Sequence, residues 1–189
     1  MSELEYRKEP MNTQEKIEEL VKKHKVNDFK WMDPNKFVIE QWVRMKCVYG
    51  CEEYGKTATC PPNVPSIAEC KEFFKGYTSS LVIHYSGSFE KPEERHLWTK
   101  NINSQLLALE REVFISGFRK AFLLFLDSCT FCDGCPSKRE KCKKPREARP
   151  TSEALGMDVY ATVRQIGFPI QVLSDYSQTM NRYAFLLIE

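Results

Sequence analysis

The sequence predicts a single α/β domain, a mixed sheet of about four or five strands flanked by helices and interrupted by two cysteine-rich loops. Three observations predict it. Stretches with apolar residues three and four apart alternate with short, continuously apolar runs, the pattern of helices packed on a sheet. The 189 residues are 42% hydrophobic and 29% charged, which suffices for one core in one domain over residues 1–189. Seven of the eight cysteines fall in two segments rich in Gly, Tyr, Pro or Lys, where regular structure is not expected.

Residues 1–34 read as an N-terminal helical extension. Its helix is TQEKIEELVKKH at 13–24, where Ile17, Leu20 and Val21 share a face and Thr13 is the expected cap. FVIEQWVRMKC at 37–47 is partly β-branched and aromatic and reads as extended. The first cysteine loop, 44–65, contains Gly50, Gly55, Pro61 and Pro62. Ser66 to Tyr77 follows as a short helix with Ile67, Cys70, Phe73, Phe74 and Tyr77 on one stripe, and SSLVIHY at 79–85 is a strand. From Pro92 to about Ser116 the pattern is helical, burying Leu97, Ile102, Leu106, Leu109, Val113 and Phe114, with Gly117 as the C-cap. KAFLLFLDSC at 120–129 is the kind of run that forms a central strand covered on both faces. It leads into the second cysteine loop, 127–150. A helix capped by Thr151 or Ser152 then runs to Gln165 with a break at Gly156, and FPIQVL and RYAFLLIE finish the chain as strands.

The second loop spaces Cys129, Cys132 and Cys135 as C-x2-C-x2-C, with Cys142 following and Pro145 just beyond. Ferredoxin-type iron–sulfur sites use this rhythm, because a tight loop with a ligand at every third residue wraps thiolates around one cubane. The longer gap before Cys142 departs from the bacterial ferredoxin run. Zinc is the competing reading, since four thiolates also satisfy a tetrahedral ion, and C-x2-C-x6-C at 132–142 matches half of a binuclear zinc cluster whose other half is missing. The basic residues at 138–149 are explained by charge neutralisation, because a four-thiolate [4Fe–4S] site is anionic.

The first loop places Cys47, Cys51 and Cys60 among Arg44, Lys46 and Lys56. Three thiolates can hold a [4Fe–4S] cluster and leave one iron open, a Lewis-acid site for a small substrate and the place for any enzymatic activity. The alternatives are that these thiols join the first cluster or are structural. Cys70, on an apolar helical stripe, reads as buried and inert rather than as a ligand. His24, His84 and His96 lie at no ligand spacing. Tyr49 and Tyr54 read as packing residues, and Glu52 and Glu53 as a solvated turn.

KCVYGCEEYGKTATCPP and CTFCDGCPSKREKCKKPREARPTSEALGMDV together resemble the cysteine-rich "predicted metal-binding protein" family of archaea and anaerobic bacteria, a domain of unknown function. The resemblance spans roughly residues 40–175. It implies metal binding through Cys47, Cys51, Cys60, Cys129, Cys132, Cys135 and Cys142, as one or two [4Fe–4S] clusters, and supplies no substrate. Physically, a helix starting near Ser152 would aim its N–H groups at the anionic site, with Arg146 and Arg149 beside it.

The N-terminus is charged from its third residue and no apolar run is long enough to span a bilayer, so a soluble cytoplasmic protein is expected. In that reducing compartment clustered cysteines are ligands or redox groups rather than disulfides. The net charge of +2 predicts no nucleic-acid partner. The expected partners are a redox protein or a small-molecule substrate.

Overall fold

The computed structural model describes residues 12–175 and 177–189, so the first eleven residues of the expected N-terminal extension lie outside the described residues. Four strands, β1 (Phe29–Met32), β2 (Ser80–Gly87), β3 (Phe122–Leu124) and β4 (Met180–Leu187), form one sheet in the order β1-β2-β4-β3. All three pairings are antiparallel. Five helices accompany it: α1 (Thr13–Lys23), α2 (Gln41–Gly50), α3 (Ile67–Lys75), α4 (Pro92–Ile115) and α5 (Val159–Arg164). The expected α/β architecture therefore holds, with four strands.

The sheet is apolar on both faces, which is why its strands read as unbroken hydrophobic runs. On β4, Tyr183, Phe185 and Leu187 enter one core with Phe37, Phe74, Met157 and Val163, while Ala184, Leu186 and, just past the strand, Ile188 enter the other with residues of α1 and α4. Each fully buried side chain of this size contributes about 2 kcal/mol relative to exposure. On α4, Ile102, Leu106, Leu109 and Val113 are buried as expected, but Leu97 and Phe114 are 62% and 54% exposed. Each points off the buried stripe: Phe114 follows buried Val113 and is turned about 100° from it.

Several local expectations are corrected. Asn12, not Thr13, caps α1: its side chain accepts from Glu15 N and Glu15 reciprocates. FVIEQWVRMKC is extended only to Glu40, because Glu40 N donates to Gly156 O at 2.8 Å and Ile39 bridges Met157; α2 begins at the next residue. FPIQVL forms no strand. The corresponding edge of β2 is occupied by β1, a four-residue strand in which Lys30 and Trp31 obscure the apolar signal. The apolar run at 120–129 yields an edge strand rather than a central one, still buried on both faces at Leu123 and Leu124. The helix expected from Ser152 is a single 3-10 turn, Glu153–Leu155, followed after the Gly156 break by α5. Gly156 has φ +86°, and a Cβ there would meet Ile67 Cδ1 at 2.3 Å, so the chain turns where only glycine fits.

These arrangements pin both loops. The second leaves the sheet after β3 and returns beside it, with Phe125 N donating to Pro150 O at 2.9 Å and Phe125 bridging Thr151. Arg149 then clamps the return: its Nε and Nη2 donate to the two carboxylate oxygens of Glu110 on α4 at 2.9 and 2.8 Å, and Glu110 also accepts from Leu123 N. Arg149 is thus a strut to α4, not a neighbour of the thiols as the sequence reading has it. No helix among the described residues is long and apolar enough to cross a membrane.

Candidate metal centre

Cys47 lies in the last turn of α2 and Cys51 is its C-cap, four residues apart and therefore on one face of the helix end. Beyond Cys51 the chain turns back through Tyr54 N to Cys51 O and Lys56 N to Glu53 O, and Gly55 N donating to Pro61 O closes the turn near Cys60. In the second loop Gly134, at φ +66°, makes the reversal between Cys132 and Cys135. Lys143 Nζ fastens it by donating to Asp133 O and Gly134 O at 3.4 and 3.0 Å. A 3-10 turn, Arg139–Lys141, delivers Cys142.

The two loops are stitched to each other. Asn63 Nδ2 donates to Thr57 O in its own loop and to Ser137 O in the other, at 3.0 and 2.6 Å. Ser137 Oγ returns a bond to Lys56 O at 2.9 Å, and the Ala58 backbone N–H donates to Cys135 Sγ at 3.4 Å. As a result Cys129, Cys132, Cys135 and Cys142 line one small cavity, of about 20 Å³, whose remaining wall includes Thr57, Ala58 and Thr59 of the first loop and the stem of Lys144. Among the described residues, no three His, Cys, Asp or Glu side chains already stand as a ready-made site for one metal ion. All eight cysteines are free thiols.

Burial sets the electrostatics. It pushes the Cys129 thiol up, against the Phe131 backbone N–H that favours the thiolate, and Cys132, Cys142 and Cys135 push it further. Cys60 is likewise raised by burial, opposed by the Thr57 hydroxyl, and it feels Cys47, Cys51 and Cys129. Cys60 is therefore the seam between the two sets. Cys47 is raised by burial first and then by Cys51, with Arg44 opposing and Glu153 reinforcing.

Hydroxyls crowd the cysteines. Thr57 Oγ1 and Thr59 Oγ1 on the cavity wall and Thr130 Oγ1 beside Cys129 are buried; Thr57 is near enough to Cys60 to favour its thiolate, while Thr59 and Thr130 have no hydrogen-bond partner. A buried orphan hydroxyl costs about 1–3 kcal/mol, so these call for an acceptor. Thiolate and inorganic sulfide are acceptors of the right kind. The donor set thus fits a sulfur-ligated metal group, and these threonines are the site residues that cysteine spacing alone does not reveal; their signal is their position within KTATC and CTFC.

Cys47 and Cys51 face elsewhere. They line a separate pocket of about 320 Å³ between α2, the 153–155 turn and the start of β4, walled largely by apolar side chains. Arg44 braces this side by donating to Pro65 O and Ala154 O at 3.1 and 2.8 Å. The other candidates do not gather here. Cys70 is buried in the core with Phe74 and Leu155. His24 pairs with Glu112, and His84 with Asp28 and Asn181. Glu53 pairs with Lys56 in the open, and Tyr49 is 81% exposed.

The chain belongs to the predicted metal-binding protein family (DUF2284), whose model matches residues 30–188. No curated protein and no solved structure matches it.

Proposed function

We propose that this metal-binding domain is an iron–sulfur protein of the reducing cytoplasm, with residues 44–65 and 127–150 as its two binding loops. Cys129, Cys132, Cys135 and Cys142 hold a [4Fe–4S] cluster for electron transfer to a partner protein. Cys47, Cys51 and Cys60 hold a second centre with one position free of protein thiolate, suited to chemistry on a small molecule. The observation that carries the reading is the chamber itself, in which four half-buried sulfurs and the Thr57 and Thr59 hydroxyls surround one space, together with the C-x2-C-x2-C rhythm.

A bound cluster supplies one-electron exchange and, where an iron is open, a Lewis acid. The chain's own residues do the rest. Thr57, Thr59 and Thr130 offer hydroxyl protons to sulfur, and the Ala58 and Phe131 backbone N–H groups already favour Cys135 and Cys129. Lys144, on the chamber wall with its Nζ 5.9 Å from the Phe131 ring and 3.2 Å from Glu147 Oε2, is the chamber's one lining cation and would be shared between Glu147 and an anionic tetrathiolate group.

Anaerobic purification with iron, zinc and acid-labile sulfide analysis tests this. The expected product is brown, holds iron and sulfide in equal amounts and bleaches with dithionite. A colourless protein with stoichiometric zinc would replace the reading by a zinc-stabilised binding module without redox activity.

A further inference from the structure

We propose that the outer face of the second cysteine loop, with the groove beside it on α4, docks the acidic surface of a soluble one-electron carrier protein. This deepens the proposed function by naming the chemistry of the partner, and its redox purpose rests on that reading.

Residues 138–149 carry seven basic and two acidic side chains on a chain whose net charge is only +2, so the remainder of the chain is net acidic. Contact with a bound cluster accounts for one of the seven. Lys144 alone lines the chamber, whereas Lys138, Arg139, Lys141, Lys143 and Arg146 are exposed and Arg149 is turned to Glu110. Arg139 Nη2 donates to Pro145 O at 3.1 Å, and Lys143 Nζ to the carbonyls of Asp133 and Gly134. Bonds to neutral carbonyls hold these side chains along the loop without cancelling their charge.

The cationic face continues into a groove of about 750 Å³ at the end of α4, lined by Arg111, Arg119 and Arg146 around Phe114. The Phe114 ring is 54% exposed. The groove's own carboxylates already have cations: Glu110 is held by Arg149 at 2.8 Å and Glu147 by Lys144 at 3.2 Å. Among the described residues no carboxylate lies within ion-pair distance of Arg111, Arg119 or Arg146. An apolar centre with a charged rim is the anatomy of a small, reversible protein interface, the size class of electron-transfer encounters. Local charge of one sign steers an oppositely charged protein and speeds its arrival. The same loop supplies the four thiols of the chamber, so a carrier docked here stands beside the proposed cluster. Single-stranded nucleic acid fits less well, because one exposed ring offers no row of stacking platforms.

Biolayer interferometry of the metal-loaded protein on an immobilised acidic flavodoxin tests the surface. Saturable binding is expected, weakening about tenfold or more between about 20 and about 200 mM salt. Lys138→Glu with Arg146→Glu, both at exposed positions, should weaken low-salt binding by about tenfold and flatten the salt dependence. Arg111→Glu with Arg119→Glu should do the same and serves if the first pair folds poorly. Lys71→Glu with Lys75→Glu makes an equal change in net charge at a different groove, beside Pro34 and Phe37, and should leave binding near wild type. Reduction of the iron-loaded protein by photoreduced flavodoxin should slow in parallel with binding. Absence of binding, equal losses in the Lys71/Lys75 control, unchanged reduction in Lys138→Glu/Arg146→Glu, or tighter binding to polyuridylate than to flavodoxin would overturn the proposal. Metal analysis of the same sample keeps the outcomes apart: patch-dependent binding by a zinc protein keeps the docking surface and sinks the iron–sulfur reading, and an iron–sulfur protein that ignores flavodoxin sinks this proposal alone.

Discussion

The two cysteine loops differ in how they are closed. The second is tied at both ends to one edge of the sheet, through Phe125 to Pro150 and Thr151 and through Arg149 to Glu110, and its four thiols line a chamber of about 20 Å³ sealed by the first loop. The first is tied off the sheet, between α2 and α3, where Arg44 donates to Pro65 O; Cys51 is exposed there, and Cys47 and Cys51 open onto a pocket more than ten times larger. The comparison teaches that closure comes from anchoring rather than from cysteine count. A loop whose two ends are fixed at neighbouring points has already lost its closure entropy before any ligand arrives. One loop is built to hold a group and the other to present one.

The largest expected effect separates them directly. Cys132→Ala should abolish the chamber's metal and much of the folded yield, because metal binding and folding are coupled there, whereas Cys51→Ala should lower metal content while the domain stays folded. Metal per chain and thermal unfolding of both variants check this, and equal losses would erase the distinction. Next, Glu110→Ala strands the Arg149 guanidinium and deprives Leu123 N of its acceptor, so it should cost about 3 kcal/mol in urea unfolding even without metal. A loss below about 1 kcal/mol would mean the strut does not hold the second loop.

How much of this was readable in the sequence follows from which residues carry the signal. β2 and β4 were legible because a strand covered on both faces is apolar at every position, as in LVI at 81–83 and YAFLLI at 183–188. α2 was misread because Val38 and Ile39, though extended, run directly into it and its one buried residue, Val43, gives no helical period. FPIQVL misled because Phe168 is buried while Val172 is 82% exposed, so its composition is that of a strand and its packing is not. The cysteines announced themselves by spacing. The threonine hydroxyls and the pocket beside Cys47 and Cys51 did not, because they depend on residues from distant segments coming together.

A smaller effect sharpens the view of the chamber. Thr130→Val removes an acceptor-less hydroxyl, so the metal-free protein should gain about 1 kcal/mol while the loaded protein loses stability and its cluster potential falls. Stabilisation in both states would leave the hydroxyl without a role. The smallest effect is in pH. Burial holds the Cys47, Cys60 and Cys129 thiols above their ordinary values, so the metal-free protein keeps those protons at neutral pH and loading must release them. Apparent metal affinity should therefore rise with pH through the neutral range and fall as pH drops, as chelator competition at about pH 6.5 and about pH 8.5 would register. A flat profile would contradict protonated thiols in the empty site.

Mössbauer spectroscopy of iron-enriched protein, run on the wild type beside Cys51→Ala and Cys132→Ala, probes the proposed division of labour most directly. The signal of a cubane with four thiolate ligands should persist in Cys51→Ala and be lost in Cys132→Ala, where only the signal of the first-loop centre remains. Full retention of that signal in Cys132→Ala, or its absence from the anaerobically prepared wild type, would contradict a cluster in the second loop.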